Sequence, residues 1–197
     1  MECITKKIKI EPRHGSVTTP QSRAVIYLPE WEANGLEAGK FFPARASGLS
    51  DPEFATDVKN NLPPLDGQIA SAGKDFATIL DEVKEDWYKH KVQSGQKITF
   101  TWHFAAKHKS RRYNYFMTRA NWDPTAKLSR AQFENSPFVS FEEKCQPYWD
   151  CEDLIPTDPT QHLFTLPIRS GYQVLLAIWE VADTGNGFYQ VVDLLFA

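Results

Sequence analysis

The sequence is short of the features that mark several function classes. It has only three cysteines, Cys3, Cys145 and Cys151. None lies in a CxxC pair or in a Cys/His spacing suited to zinc, so no zinc site of that kind is written in the chain. Neither sign of charge dominates: 22 Lys and Arg against 25 Asp and Glu give a net charge of -3, which provides no electrostatic footprint for nucleic acid. No apolar run approaches the length needed to cross a bilayer. Residues 1–13 carry basic residues and scattered isoleucines but no continuous apolar stretch and no small-residue cleavage site, so they do not read as a secretory signal. No internal repeat is visible.

What is present is an ordinary globular composition. With 42% hydrophobic and 24% charged residues the chain is not disordered, and 197 residues suffice for one domain with a sizeable core. Residues 17–19 (Val-Thr-Thr) and 25–27 (Val-Ile-Tyr) are rich in β-branched residues and read as short strands separated by Pro20. Residues 29–73 change character: Gly, Pro, Ala, Ser and Asn abound, and the aromatics Trp31, Phe41, Phe42 and Phe54 are scattered among them. A long irregular insertion inside a compact domain is usually functional. Residues 75–89 hold Phe76, Ile79, Leu80, Val83 and Trp87 at helical spacing, with Asp75 as a candidate cap, and predict a helix whose stripe packs on the core.

Strands then dominate. Residues 97–104 alternate, with Ile98, Phe100, Trp102 and Phe104 on one side and Thr99, Thr101 and His103 on the other. Further strands are predicted over 112–118, 163–166, 172–182 and 188–196. The run from Val174 to Trp179 is apolar on both faces, as in a central strand. Seven or so short strands with Pro/Gly turns and one helix-bearing insertion predict an all-β fold, an immunoglobulin- or fibronectin-III-like β-sandwich.

Five histidines are candidates for chemistry: His14, His90, His103, His108 and His162. Taken singly, each fits a surface or satisfied core position. Two stand out by context. His14 opens the folded region, and His108 follows a strand end in Ala105-Ala106-Lys107-His108, where a tight turn is expected to expose its ring. Cys145 and Cys151 share a proline-bearing loop that could hold either a short disulfide or two free thiols.

At these residues the chain resembles the chitin-binding-protein type of lytic polysaccharide monooxygenase, auxiliary activity family ten. The resemblance runs from His14 to the C-terminus. It is carried by HGSVTTPQSRA at 14–24, DGQIASAG at 66–73, TWHFAAKH at 101–108, YFMTRANWD at 115–123, LSRAQF at 128–133 and LAIWEVADTGNGFYQVVDL at 176–194. Each motif is weak alone; their order and spacing together are specific.

The resemblance implies a mechanism. Copper is held in a T-shaped brace by the α-amine and imidazole of an N-terminal histidine and by a second imidazole, an all-nitrogen donor set that suits Cu(II). His14 matches the first histidine and His108 the second. An external electron donor reduces the copper, which then activates an oxygen co-substrate and takes hydrogen from a glycosidic carbon. The saccharide, chitin or alternatively cellulose, remains in its crystal, so the enzyme needs a flat face. Phe188 matches the apolar residue that closes one axial position, and Ala106 a small residue crowding the other. Trp179 matches a buried aromatic near the metal, where core packing is its simpler role. Asp183, Thr184 and Asn186 match polar residues on the substrate face. Glu53 is the nearest match to a glutamate that gates oxygen access. Trp31 and Phe42 are both candidates for the aromatic that stacks on sugar.

The resemblance also implies a secreted monomer with neither a membrane nor a nucleic-acid partner. One family bridge is missing, since residues 25–27 contain no cysteine where it belongs, but Cys145 and Cys151 fall where another is found. The domain is expected to span 14–197, preceded by an extension over 1–13. While that extension is attached, the nitrogen of His14 is a peptide amide, a poor donor beside an amine of pKa near ~8. Processing after Arg13, a start that replaces a signal peptide, or a copper-free binder would each account for it.

Overall fold

The computed structural model describes residues 14–51, 57–145 and 147–197. Among them are nine strands in two sheets. The smaller sheet has the order β1–β4–β7, from β1 (Gly15–Thr19), β4 (Lys97–Phe104) and β7 (Thr160–Thr165), all antiparallel. The larger runs β2–β9–β8–β5–β6, from β2 (Glu37–Gly39), β5 (Ser110–Met117), β6 (Val139–Glu142), β8 (Gly171–Val181) and β9 (Asn186–Phe196). The short β3 (His90–Val92) adds in parallel to the far end of β9.

The alternation read from the sequence puts Phe100, Trp102 and Phe104 of β4 into the space between the sheets. There they meet Tyr113, Tyr115, Leu175, Ala177, Trp179 and Phe188 of the larger sheet. This is a β-sandwich, as expected. β8 is apolar on both faces because each face has a cover. Leu175, Ala177 and Trp179 face the sandwich interior, while Val174, Leu176 and Ile178 face a second core made with Leu36, Phe42 and Ile69 of the insertion and Leu80 just beyond it.

Two local expectations are overturned. Residues 25–27 are not a strand but the end of α1 (Arg23–Tyr27). The Ser22 hydroxyl accepts from the Val25 N–H at the helix start, and buried Arg23 is held by Asp193 and by the Leu80 carbonyl, at 2.7 Å for the latter. A cap and a buried ion pair outweigh the β propensity of Val25 and Ile26. Residues 75–89 are not one helix either. A 3-10 turn covers Asp75–Asp81 and stops, and Asp75 supplies no side-chain cap. The Asp81 carboxylate turns inward and accepts the N–H groups of Ala70 and Ser71, both at 3.1 Å, which ties the segment to the insertion. Of the predicted stripe Leu80 and Trp87 are buried, while Phe76, Ile79 and Val83 are exposed. Within the insertion, α2 (Glu30–Ala33) and β2 are the regular pieces.

Candidate metal centre

His14 enters at the head of β1. Its N–H donates to the Ala106 carbonyl at 3.1 Å and its carbonyl accepts the Ala106 N–H at 3.3 Å, so the β1–β4 ladder continues beyond the strands and fixes the backbone of His14 beside the loop that carries His108. Gly15 permits this approach: a Cβ there would lie 2.7 Å from Phe104 and 3.1 Å from the Trp179 ring. The loop from Ala105 to Lys109 folds back under two clamps, Ala182 N–H to the Lys109 carbonyl at 2.8 Å and the Lys109 ammonium to the Cys151 carbonyl at 2.7 Å. His108 is therefore buried, 6% exposed, and not displayed at the tip of a turn. Its ring lies against Trp179 and Phe188, with centroids at 6.1 and 6.0 Å.

The two histidines meet at one place, far apart in sequence though they are. The His14 ring stands edge-on to Phe188 at 6.1 Å, and Phe188 stacks on Trp179 at 5.0 Å. The Nδ1 atoms of His14 and His108 are both buried with no hydrogen-bond partner among the described residues. Asp183 Oδ1 comes within 3.3 Å of His108 Nδ1, close enough for attraction but off the line of a hydrogen bond. Buried polar nitrogens without partners are rare and call for an explanation, of which an absent ion is one. Loss of surrounding water lowers the pKa of His14; Glu37 opposes this, while His108 and Lys74 add to it. A neutral imidazole is the form that donates to a metal. Among the described residues no group of three or more His, Cys, Asp and Glu side chains is arranged to hold an ion, so the donors on offer are the two imidazoles.

The remaining predicted residues lie around this pair. Asp183 and Thr184 sit in the turn between β8 and β9, and the Thr184 hydroxyl accepts the Asn186 N–H at 3.2 Å. Asn186 is less free than expected: its amide donates to Glu37 at 2.8 Å and its carbonyl oxygen accepts from Asn61 at 2.7 Å. Trp31 is 67% exposed with Phe76 beside it, ring centroids 6.1 Å apart, whereas Phe42 is 4% exposed and packed on Phe116 and Phe133. Trp179 is wholly buried and donates to the Ser110 hydroxyl at 2.9 Å. Glu53 and Cys3 lie outside the described residues. The loop cysteines are joined as Cys145–Cys151, with Cα atoms 6.1 Å apart.

Sequence reading missed two features. The first is Glu37, which pairs with Phe188 in the β2–β9 register, bonds Asn186 and acts electrostatically on His14. A three-residue strand inside an irregular insertion leaves no periodic signal that could have singled it out. The second is a buried charge network beneath the β8–β9 turn. The Arg111 guanidinium reaches Glu180 at 2.9 Å, Asp51 at 2.7 Å and Asp57, and none of its side chain is exposed. Lys40 donates its ammonium to the Val181 carbonyl and its N–H to the Gly185 carbonyl, both at 3.0 Å. Burial pushes the Lys40 pKa down to about 8, against the pull of Asp57. These groups hold the turn bearing Asp183 and Thr184 from below.

Comparison with known proteins bears on the family and the fold. The family model for lytic polysaccharide mono-oxygenases, described as cellulose-degrading, matches residues 14–194. GlcNAc-binding protein A of Aliivibrio fischeri is 34% identical over 168 residues, covering 85% of this chain but 30% of that protein, so the chain spans under a third of this relative's length. A chitin binding domain from Burkholderia pseudomallei is 49% identical and superposes with a TM-score of 0.90 over 94% of this chain and all of that one. An AA10 LPMO from Photorhabdus luminescens gives 32% identity and a TM-score of 0.75 over 93% and 99% of the two chains. From its motifs, its sandwich and its paired histidines, the chain belongs to the lytic polysaccharide mono-oxygenase family, auxiliary activity family ten.

Proposed function

We propose that this chain is a copper-dependent mono-oxygenase that cleaves glycosidic bonds oxidatively in crystalline chitin, with cellulose the second candidate, drawing electrons from an external donor in a secreted setting. The observation that carries the reading is the meeting of His14 and His108 across Phe188, each with a buried Nδ1 that has no hydrogen-bond partner among the described residues. Two imidazoles fit copper, which favours nitrogen donors and stands at the top of the divalent affinity order. His14 and His108 would hold it, the α-amine of His14 joining them wherever that residue begins the chain. When bound, copper supplies the one-electron chemistry that activates an oxygen co-substrate against a glycosidic C–H.

The chain's own residues do the rest. Phe188 has no donor atom and closes one side of the centre. Ala106, small and backbone-paired with His14, crowds the opposite side. Asp183 places a carboxylate oxygen 3.3 Å from His108 Nδ1, a negative charge at the edge of the centre. Glu37 faces His14 from the β2 side and is the glutamate we place by the centre, in preference to Glu53. Trp31 is the aromatic that stacks on sugar, since Phe42 is core. Asp183, Thr184 and Asn186 meet sugar hydroxyls at the face.

A second reading, a non-catalytic chitin binder using the same face, is favoured by one observation. The His14 nitrogen is a peptide amide that donates to Ala106, and an amide is no substitute for an amine as a ligand. Calorimetry with Cu(II) on protein beginning at Met1 and at His14, paired with mass spectrometry of chitin products, decides between them. The enzyme reading expects tight copper binding and oxidised oligosaccharides from the His14 form, and much weaker binding from the Met1 form. Chitin binding without oxidised products from the His14 form would leave the binder.

A further inference from the structure

A cleft of about 520 Å³ opens beside the histidine centre but is separate from it, between α2 and the end of the smaller sheet. Its links to the centre are Phe104, whose ring packs on Trp179 at 4.6 Å, and Ala105, the chain neighbour of the residue that pairs with His14. Ser16 and Asn34 line it and are only 4% and 5% exposed. Among the described residues neither side chain has a hydrogen-bond partner, and neither is among the fully enclosed unsatisfied atoms, so both keep access to the cleft. Side chains this buried are normally hydrogen-bonded within the protein, so in the open cleft these two are left to water or to a bound molecule. Two of them in one wall describe a surface built for a hydrogen-bonding occupant.

The other walls narrow its chemistry. Val25, Leu28 and Phe104 make an apolar side. Glu30 and Asp158 add carboxylates, the latter 3.1 Å from His103, and disfavour an anion. The lining is therefore amphipathic and acceptor-rich, with an amide and a hydroxyl set deep. A crystalline surface cannot enter a cleft, whereas a soluble chain end can, and the volume lies within the range of small-ligand sites.

We propose that this cleft is a second saccharide site that takes one or two rings of a soluble N-acetylhexosamine oligosaccharide. The acetamido group pairs with the Asn34 amide and puts its methyl on the apolar wall, while ring hydroxyls donate to Glu30 and Asp158. The choice of an N-acetylated sugar rests on the chitin reading above; the cleft and its unpaired groups do not.

The test is a titration of the full chain with N,N′-diacetylchitobiose, followed by backbone amide NMR. Shifts are expected at Ser16, Asn34 and Ala105, and the Ser16→Ala/Asn34→Ala double variant should bind at least tenfold more weakly. Ala105→Trp, at an exposed rim position, should block the cleft without touching the core and guards against a folding defect in the double variant. A pull-down on crystalline chitin is run in parallel and should be unchanged by the double variant. Shifts confined to Trp31 and Asp183, or equal affinity in both variants and the parent chain, would overturn the cleft site. Loss of the pull-down in the parent chain, with cleft shifts intact, would count against the chitin reading and leave the cleft standing.

Discussion

Asn186 donates its side-chain amide to the carboxylate of Glu37 at 2.8 Å, and Glu37 lies opposite Phe188 in the β2–β9 ladder. Through this pair an acidic group from the insertion is fixed beside the histidine centre by the strand that carries Phe188. The carboxylate favours the protonated form of His14, partly offsetting the effect of burial. Glu37→Gln keeps an acceptor for Asn186 but removes the charge. The His14 imidazole should then titrate lower than in the parent chain, read from its ring proton shifts against pH. An unchanged or raised value would mean that Glu37 does not act on His14 as placed here.

Trp31 and Phe42 separate by exposure, 67% against 4%. Trp31→Ala should weaken adsorption to crystalline chitin by about tenfold, the loss of one anchoring aromatic at about 1.4 kcal/mol, with Cu(II) affinity retained. Phe42→Ala should instead lower stability by about 3–5 kcal/mol in denaturant unfolding, as emptying a core site does. Adsorption unaffected by Trp31→Ala would remove that ring from the binding face.

Much of this arrangement was legible in the sequence, and where it was not the reason is physical. The β4 alternation and the two-sided apolar run of β8 have period and length, and they gave the sandwich. The motif order placed His14, His108 and Phe188. Residues 25–27 misled because Val and Ile favour strands until a Ser22 cap and a buried Arg23–Asp193 pair decide otherwise. The stripe after Asp75 misled because its spacing is helical while the inward turn of Asp81 ends the helix after two turns. Exposure of Trp31 and the place of Glu37 depend on how the insertion lies across the larger sheet, and burial of His108 on the ties of Lys109 to Ala182 and Cys151, long-range facts that no local pattern encodes.

Arg111 is the centre of the charge network under the β8–β9 turn, with three carboxylate partners and its guanidinium over Phe41 and Tyr148 at 4.9 and 5.1 Å. Removing one member of a buried ion cluster strands the others without water. Arg111→Met should lose about 3–5 kcal/mol in denaturant unfolding. Where the variant still folds, displacement of the turn should also weaken chitin adsorption through Asp183 and Thr184. A loss below about 1 kcal/mol, the worth of a surface pair, would show the network to be solvated in solution.

His162 provides the pH dependence of the core. The Trp102 indole N–H donates to the Tyr115 oxygen at 3.0 Å, so the phenol proton is left to point at His162 Nδ1, 2.7 Å away. The His162 ring stacks on Phe141 at 4.1 Å, and Nδ1 must be unprotonated to accept. Loss of water accordingly drives its pKa from 6.5 down to about 4. The folded value lies below the unfolded one, so acid favours the unfolded chain. The contribution is fully present above pH 6.5, falls as the pH drops toward 4, and is constant again below that. Lowering a pKa by this much corresponds to about 3 kcal/mol of stability lost across the window. Unfolding by denaturant at intervals from pH 7 to pH 4 should show this decline in the parent chain. His162→Gln, which keeps an acceptor for Tyr115 but cannot titrate, should show a slope shallower by about that amount, with the contribution of His14 common to both. Identical slopes would mean that His162 is protonated or solvated in the fold and does not accept the Tyr115 proton.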